Sequence, residues 1–138
     1  MSSSAVFTWP VRVYYEDTDA GGVVYHAQYL KYLERARTEW LRHAGVEQDD
    51  LLVEHGVVFA VTRAELRYLR PARFNDALTV TVVPARRGRA RLAFEQRVAR
   101  ARAPDEPLVT AAVEVACVEM TRFRARPIPT FLVEKLKL

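Results

Sequence analysis

Three acidic residues and a pair of glycines stand directly ahead of a helix pattern near the N-terminus. Glu16, Asp17 and Asp19 end a short β-type segment whose alternating residues are at 11, 13 and 15, and Gly21 and Gly22 follow after one alanine. Adjacent glycines permit backbone angles that are closed to other residues, so a tight turn is expected there. A carboxylate held at such a turn can attack a carbonyl carbon or remove a proton from water. The segment therefore predicts acyl or phosphate chemistry at a strand-turn-helix corner.

The helix pattern that opens near His26 supplies a second part of such a site. Free N–H groups in the first turn of a helix, here near His26 and Ala27, can polarise a carbonyl oxygen. A thioester suits this apparatus, because a thiol has a pKa of about 8.5 and leaves as a thiolate without a strong acid. Two simpler interpretations stay open: the acids only cap and solvate the turn, and His26 is a packing or capping residue.

Other hydrolytic machinery lacks candidate residues. The only serines occupy positions 2–4 in the N-terminal tail, so a buried serine triad or nucleophile elbow is excluded. The single cysteine, Cys117, excludes a disulfide framework and a cysteine-based zinc site, and it falls on the apolar side of a predicted strand. The histidines are too scattered for a metal-binding spacing, and nucleotide-binding glycine patterns are absent. We predict no metal and no cofactor.

Length and composition indicate the class of protein. With 138 residues, half of them hydrophobic, the chain is predicted to form one domain over residues 1–138 with a proper core. It lacks a secretory signal pattern and an apolar run of about 20 residues that could span a membrane. These features and the single cysteine favour a soluble protein of the cytoplasm.

Arginines are concentrated between positions 86 and 102, where seven of them occur with Glu95 as the only acid. Such a density suits phosphates, anionic lipid head groups or an acidic protein, and Arg87 and Arg89 are the candidate phosphate ligands. The alternative is a solvated strand face and hairpin tip. Nucleic acid is not favoured, because the cluster contains one aromatic residue, Phe94, and its pattern places it inward.

The spacing of apolar residues predicts one long helix followed by an antiparallel sheet. The helical period runs from Tyr29 to Ala44, with Gly45 as the C-terminal cap. On its polar face, Glu34 and Arg37 are spaced to form an ion pair. From residue 57 the period becomes two, which predicts strands at 57–68, 77–83, 90–101 and 108–120, with short helices at 49–54 and after residue 129. This is an α+β arrangement, and a sheet wrapped around one long helix is the hotdog fold.

The run YYEDTDAGGVVYHAQYLKYLERARTEW, from Tyr14 to Trp40, resembles the hotdog-fold acyl-CoA thioesterases of the 4-hydroxybenzoyl-CoA thioesterase family. The YbgC-like bacterial subfamily, which is associated with the Tol-Pal cell-envelope system, is the most similar part of that family. The resemblance covers essentially the whole chain. It implies an acyl-CoA thioester hydrolase for which coenzyme A is part of the substrate, with an acyl carrier protein as a further expected carrier of the acyl group.

The resemblance also implies roles for individual residues. Asp19 matches the catalytic carboxylate, acting as nucleophile or general base, and Asp17 would support it. Tyr15 and His26 match further active-site positions. The predicted substrate-binding residues are Gly22, Val23 and Ala27. From charge alone, Arg87 and Arg89 of the hairpin, or alternatively arginines of the strand from Arg63 to Arg70, are expected to contact the coenzyme A phosphates.

Members of this family pair two protomers into a continuous sheet and often double again to a tetramer, with active sites at the protomer interface. The resemblance thus implies a homo-oligomer without a nucleic-acid partner, and at most a peripheral association with the inner membrane. Two other functions stay open. One is a hotdog-fold hydratase or dehydratase acting on enoyl or hydroxyacyl thioesters, and the other is a non-catalytic protein that binds an acyl carrier or an anionic surface. The DTDAGGVVYH motif favours the thioesterase.

Overall fold

A 16-residue helix lies against one face of a twisted antiparallel sheet in the computed structural model, which describes residues 6–138. The serines at positions 2–4 lie outside the described residues. No helix within residues 6–138 is long and apolar enough to cross a membrane. The helices are α1 (Gln28–His43), α2 (Gln48–His55) and α3 (Thr130–Leu136). The strands are β1 (Phe7–Arg12), β2 (Val57–Tyr68), β3 (Ala77–Arg87), β4 (Arg91–Arg100), β5 (Pro107–Glu119) and β6 (Arg124–Ala125).

The strands are arranged in the order β1-β3-β4-β5-β2, with β6 paired to β5, and every pairing is antiparallel. Alternate side chains of the strands form the inner face of the sheet and pack against α1, whose Tyr32, Leu33 and Ala36 are fully buried. Burying a side chain of the size of leucine contributes about 1.5–3 kcal/mol, so this helix-sheet layer is the main source of stability. The predicted α+β hotdog fold is confirmed.

The long helix ends where the sequence predicted. Gly45, with a φ of 88°, follows α1. Its N–H donates to Arg42 O at 3.0 Å, and the N–H of Val46 donates to Leu41 O at 2.9 Å. These two bonds form a Schellman motif, which satisfies carbonyl groups left free at the helix end. At the other end, α1 begins at Gln28, two residues later than the pattern predicted.

Other boundaries required correction. The alternating pattern extended the first strand to Tyr15, whereas β1 ends at Arg12 and Tyr15–Asp17 forms a short 3₁₀ helix. The change occurs because the Asp17 carboxylate accepts the N–H of Tyr14 at 2.9 Å, which closes a turn. Strand β3 continues four residues past the predicted end, since it pairs with β4 as far as the hairpin at Gly88.

Strand β2 forms one edge of the sheet. One side of this 12-residue strand pairs with β5, and no strand of the described chain covers the other. A bulge interrupts its register with β5 between Val61 and Arg63, at the middle of the strand. Bulges increase the local twist of a strand and pin its register. A long edge strand with unpaired N–H and C=O groups is a template for pairing with another chain.

Candidate active site

Asp17 is a buried carboxylate that joins the 3₁₀ turn to the long helix. It is 6% exposed. Its Oδ2 accepts from the Tyr14 N–H at 2.9 Å and from the Tyr32 hydroxyl at 2.8 Å, and its Oδ1 accepts from Gln28 Nε2 at 2.9 Å. Burial, together with the hydrogen bond to the charged Asp17, raises the pKa of Tyr32 well above its usual value. The contacts of Asp17 are those of a supporting residue.

Asp19 lies two residues further, in an exposed hairpin. Its N–H donates to Val23 O at 2.9 Å, and its carbonyl accepts the Gly22 N–H at 3.0 Å. A tight turn thus joins the two limbs of the hairpin, one ending at Asp19 and the other returning from Val23. Gly22 has a φ of 78°, the left-handed conformation that glycine adopts without strain. Asp19 Oδ1 accepts the Gly21 N–H at 2.9 Å. Within residues 6–138, Oδ2 of Asp19 accepts no hydrogen bond.

The returning limb of the hairpin leads directly into the helix start. Thr18 forms a bridge with Val24, so His26 follows two residues after the position opposite Thr18. Among the described residues, the N–H groups of His26 and Ala27 donate to no protein acceptor, whereas the N–H of Gln28 already bonds to a carbonyl in the preceding turn. Free amides at a helix start carry positive partial charge and suit a developing oxyanion.

The His26 side chain is exposed and lies between two tyrosines. Its ring centroid is 4.6 Å from that of Tyr25 and 6.2 Å from that of Tyr68. The Tyr68 hydroxyl donates to His26 O at 2.9 Å, which ties the helix start to the end of β2. An open cavity of about 280 Å³ lies beside these rings. Its walls are formed by Val24, His26, Tyr29, Tyr68, Leu69, Arg70 and Pro71.

Most of the predicted site residues lie near Asp19, and only the two arginines lie far from it. Asp19, Gly22, Val23, His26 and Ala27 lie within the hairpin and helix start. Tyr15 lies next to this corner, but its 81% exposed ring packs edge-on against Phe74 at 6.0 Å.

Arg87 and Arg89 lie at the other end of the molecule. Strand β3 begins at Ala77, beside the turn that contacts β1, and Arg87 stands ten residues further along it, about 33 Å away for extended backbone. The described chain therefore does not bring them to Asp19 within one protomer. Phe94 points inward, as predicted, and Cys117 is a core residue whose thiol pKa is raised by burial.

Several residues of this corner had no signal in the sequence that separated them from core residues. Gln28, Tyr32 and Tyr68 were interpretable only as helix or strand positions, because their partners are defined by tertiary contacts. A second arginine group was also missed. Arg122, Arg124 and Arg126 join the hairpin cluster, since Ile128 N donates to Arg89 O at 2.8 Å. The shared basic end could have been inferred only from the pairing of β5 with β6.

Similarity to known proteins identifies the family. Residues 13–136 match the thioesterase-like superfamily. The chain belongs to the thioesterase-like superfamily. This thioesterase-like chain carries the DTDAGG turn and the helix start within the matched region, and the predicted family resemblance is confirmed.

Individual relatives cover nearly the whole thioesterase-like chain. It is 44% identical over 136 residues to the acyl-CoA thioester hydrolase YbgC of Escherichia coli (strain CFT073), covering 98% of each chain. It is also 44% identical over 123 residues to the acyl-CoA thioesterase YbgC of Haemophilus influenzae, covering 89% of this chain and 88% of that one. A solved structure of a probable thioesterase from Bartonella henselae is 37% identical with a TM-score of 0.83, covering 91% of this chain and all of that one.

Proposed function

We propose that this protein hydrolyses acyl-CoA thioesters to a free acid and a thiol at the corner formed by Asp19 and the start of α1. The predicted enzyme class is confirmed by the relatives named acyl-CoA thioester hydrolases at 44% identity. The observation that supports this site is the exposed Asp19 carboxylate, which has one free oxygen and is separated by one tight hairpin from two free helix-start amides.

The chemistry follows from these groups. As general base, Asp19 removes a proton from water while the hydroxide adds to the thioester carbon, and the N–H groups of His26 and Ala27 stabilise the oxyanion. Collapse of the tetrahedral intermediate expels the thiolate, which recovers the proton. As nucleophile, Asp19 instead forms an anhydride that water then hydrolyses. Both routes need the free carboxylate oxygen, and neither needs a metal or cofactor.

Replacement of Asp19 tests the site. For Asp19→Asn we expect kcat/KM to fall by about 10²–10⁴, the usual contribution of a general base, measured as thiol release from a panel of acyl-CoAs. Glu16→Gln is the matched control, since this exposed acid lies three residues away and should leave turnover unchanged. Undiminished turnover in Asp19→Asn would exclude the assigned mechanism.

The proposal includes a symmetric dimer formed through the β2 edge. A two-fold axis makes a strand pair antiparallel with its own copy. With the axis near the central bulge, the Tyr68 end of β2 in one protomer lies beside the Phe59 end in the other. Because the Tyr68 hydroxyl donates to His26 O within each protomer, the partner's β2 would then lie close to the catalytic corner. The free edge and its aromatic residues support this arrangement, and a further doubling to a tetramer stays a prediction.

The dimer also gives the arginine cluster a role. Phe59 on β2 pairs with Cys117 on β5, whose N–H donates to Ala90 O in the hairpin at 2.7 Å. The hairpin tip is thus two strand spacings from the edge, about 10 Å. In the dimer, Arg87 and Arg89 of each protomer would approach the other protomer's corner, where the coenzyme A phosphates enter.

Charge reversal tests this contact. For Arg87→Glu combined with Arg89→Glu we expect KM for acyl-CoA to rise about tenfold or more with kcat nearly unchanged, because phosphate contacts bind substrate and transition state alike. The matched control is Arg102→Glu, outside the hairpin tip. An unchanged KM would remove the two arginines from the binding site. Use of an acyl carrier protein and association with the Tol-Pal system or the inner membrane stay predictions from the family resemblance, and the cytoplasmic location stays a prediction from the sequence pattern.

A further inference from the structure

A second, smaller cavity lies between the later turns of α1 and the inner faces of β2, β4 and β5. It has a volume of about 160 Å³. Its apolar walls are formed by Trp40, Leu41, Phe59, Leu92, Phe94 and Val115. Because Phe59 and Val61 belong to the edge strand and Val61 is 54% exposed, the cavity borders the free edge of the sheet. We call it the helix crevice.

Arg37 is the one cation, and Glu34 the one carboxylate, among the described residues that line the helix crevice. Its Nη1 donates to Gln96 Oε1 at 3.0 Å, and its guanidinium lies 6.0 Å from the centroid of the Phe94 ring. The ion pair predicted with Glu34 is absent, because Glu34 Oε2 instead accepts from the Thr38 hydroxyl at 2.6 Å. No carboxylate lies within 4.0 Å of the Arg37 nitrogens among residues 6–138.

Gln96 fixes the position of this guanidinium. It is 1% exposed, and its Nε2 donates to Leu33 O at 3.2 Å and to Thr81 O at 3.3 Å, so the oxygen is turned toward Arg37. A guanidinium has five N–H donors, and Gln96 accepts from one of them. Burial lowers the pKa of Arg37, while the charge of Glu34 acts in the opposite direction. A partly desolvated cation held in place gains more from an incoming anion than a cation in water does.

The walls and the charge together define the ligand chemistry. Apolar side chains on several sides suit a short hydrocarbon chain, and the planar fork of Arg37 suits a carboxylate bound through two hydrogen bonds. A hydrocarbon chain that ends in a methyl group would fill the helix crevice but would leave the Arg37 guanidinium without a bound anion. The matching ligand is a short chain with a carboxylate at its end.

The β2 pairing connects this crevice to catalysis. In the proposed dimer, the Phe59 end of one protomer lies beside the Tyr68 end of the other, where Tyr68 contacts the helix start that follows Asp19. The helix crevice of each protomer therefore opens toward the partner's catalytic corner. A thioester held at that corner can extend its acyl group across the interface into the crevice.

We infer that the helix crevice binds the far end of a dicarboxylic acyl group, with Arg37 as the specificity-determining residue. This inference rests on the proposed function and on the β2 dimer. It deepens the proposal by naming the substrate class as acyl-CoAs that carry a terminal carboxylate.

The test compares adipoyl-CoA with 6-methylheptanoyl-CoA, its neutral isostere in which an isopropyl group replaces the carboxylate. We expect the wild-type protein to favour adipoyl-CoA by about tenfold or more in kcat/KM, the effect of one charge-assisted contact. Arg37→Met should reduce this ratio to about one, and Arg37→Lys should give an intermediate ratio because it keeps the charge without the fork. Arg35→Met, an exposed arginine on the same helix, is the matched control and should keep the full ratio.

The outcomes separate the two proposals. Equal kcat/KM for both substrates, or a ratio that survives Arg37→Met and Arg37→Lys, overturns the dicarboxylic assignment and leaves the thioesterase proposal intact. Failure to hydrolyse these two substrates and straight-chain acyl-CoAs from C2 to C16 overturns both. If Arg37→Met does not fold, Arg37→Lys alone decides through the same ratio. A rise in Tm with hexanoate that requires Arg37, without any preference for adipoyl-CoA, would assign the crevice to a free fatty acid instead and also overturn the inference.

Discussion

Asp17 and Asp19 have the same side chain and opposite environments. Asp17 is buried and accepts three hydrogen bonds, one from the backbone of the 3₁₀ turn and two from side chains of α1. Asp19 is exposed and accepts one, from the backbone of its own turn. A carboxylate whose oxygens are saturated holds structure, whereas one with a free oxygen can react. The proposed division of roles, structural for Asp17 and catalytic for Asp19, therefore follows from their solvent access and hydrogen bonding.

Paired substitutions at these two aspartates should separate stability from activity. Asp17→Asn replaces one acceptor oxygen by a donor in a buried site, and we expect a loss of about 3 kcal/mol in the free energy of unfolding. Asp19→Asn should change that free energy by less than about 0.5 kcal/mol, because the site is exposed. Urea unfolding of both variants provides the measurement. Equal destabilisation by the two substitutions would contradict this division.

Tyr32 should make the protein sensitive to alkali. Its pKa is raised in the folded state, chiefly by burial and then by Asp17, so the unfolded chain loses the proton near pH 10 while the folded protein keeps it. The folded state then binds more protons, and its stability falls as the pH rises above 10, by up to about 1.4 kcal/mol per pH unit. Urea unfolding between pH 9 and 11.5 measures the slope.

The controls for that slope are two phenylalanine variants. Tyr32→Phe should be less stable at pH 8 but show a shallower decline above pH 10, since it has lost the titrating group. Tyr14→Phe, whose ring is 61% exposed, should keep the wild-type slope. A slope that is identical in all three proteins would exclude Tyr32 as its source.

At the scale of elements, the Asp19–Val23 hairpin depends on two glycines for different reasons. Gly22 has a φ of 78° and no neighbour within 4 Å of an added Cβ, so its requirement is conformational. Gly21 lacks that constraint, but a Cβ there would lie 3.2 Å from Asp19 Oδ1. Gly22 permits the turn, and Gly21 leaves room for the Asp19 carboxylate.

Alanine substitutions should distinguish the two roles. Gly21→Ala displaces the Asp19 carboxylate, and we expect about a tenfold fall in kcat/KM with little change in Tm. Gly22→Ala imposes left-handed backbone on alanine and should cost about 1–2 kcal/mol of stability. Gly56→Ala, at a φ of 66° after α2, is the control that costs stability without lowering kcat/KM. Activity in Gly21→Ala equal to wild type would show that the carboxylate tolerates the contact.

Periodicity predicted the elements where a local pattern decides the backbone. The long helix, its Gly45 cap and strand β2 followed from apolar spacing and one glycine. The pattern failed at Tyr15, because the Asp17 carboxylate accepts the Tyr14 N–H and this turn overrides the alternation. It also failed for Arg37, because the competing partner of a helix residue cannot be read from spacing alone.

For the whole molecule, the free edge of β2 is the feature with the largest expected effect. We expect the protein in solution to have a mass at least twice the 15.8 kDa of the chain, measured by light scattering after size exclusion. Because the proposed site uses both protomers, specific activity should fall on dilution in parallel with the loss of dimer. An active monomer at every concentration would exclude the shared site.

Contacts between residues that are far apart in the sequence could not be predicted for the candidate site. Asp19, Gly22 and His26 lie in one run and were predicted together, since consecutive residues stay close in any fold. Arg37 and Gln96 are 59 residues apart, and a glutamine on an apolar strand face gives no indication of its partner. The predicted place of the hairpin arginines depends on a second copy of the chain, which no pattern within one chain describes.

The short reach of the Asp17 contacts has a consequence for the order of folding. The donors to its carboxylate are 3, 11 and 15 residues away, so these loops close early and at low entropic cost. The helix crevice needs α1, β4 and β5 to be docked first. The corner around Asp17 and Asp19 should therefore belong to the folding nucleus, while the surface proposed to select the acyl group is completed only when the sheet, and then the second protomer, is in place.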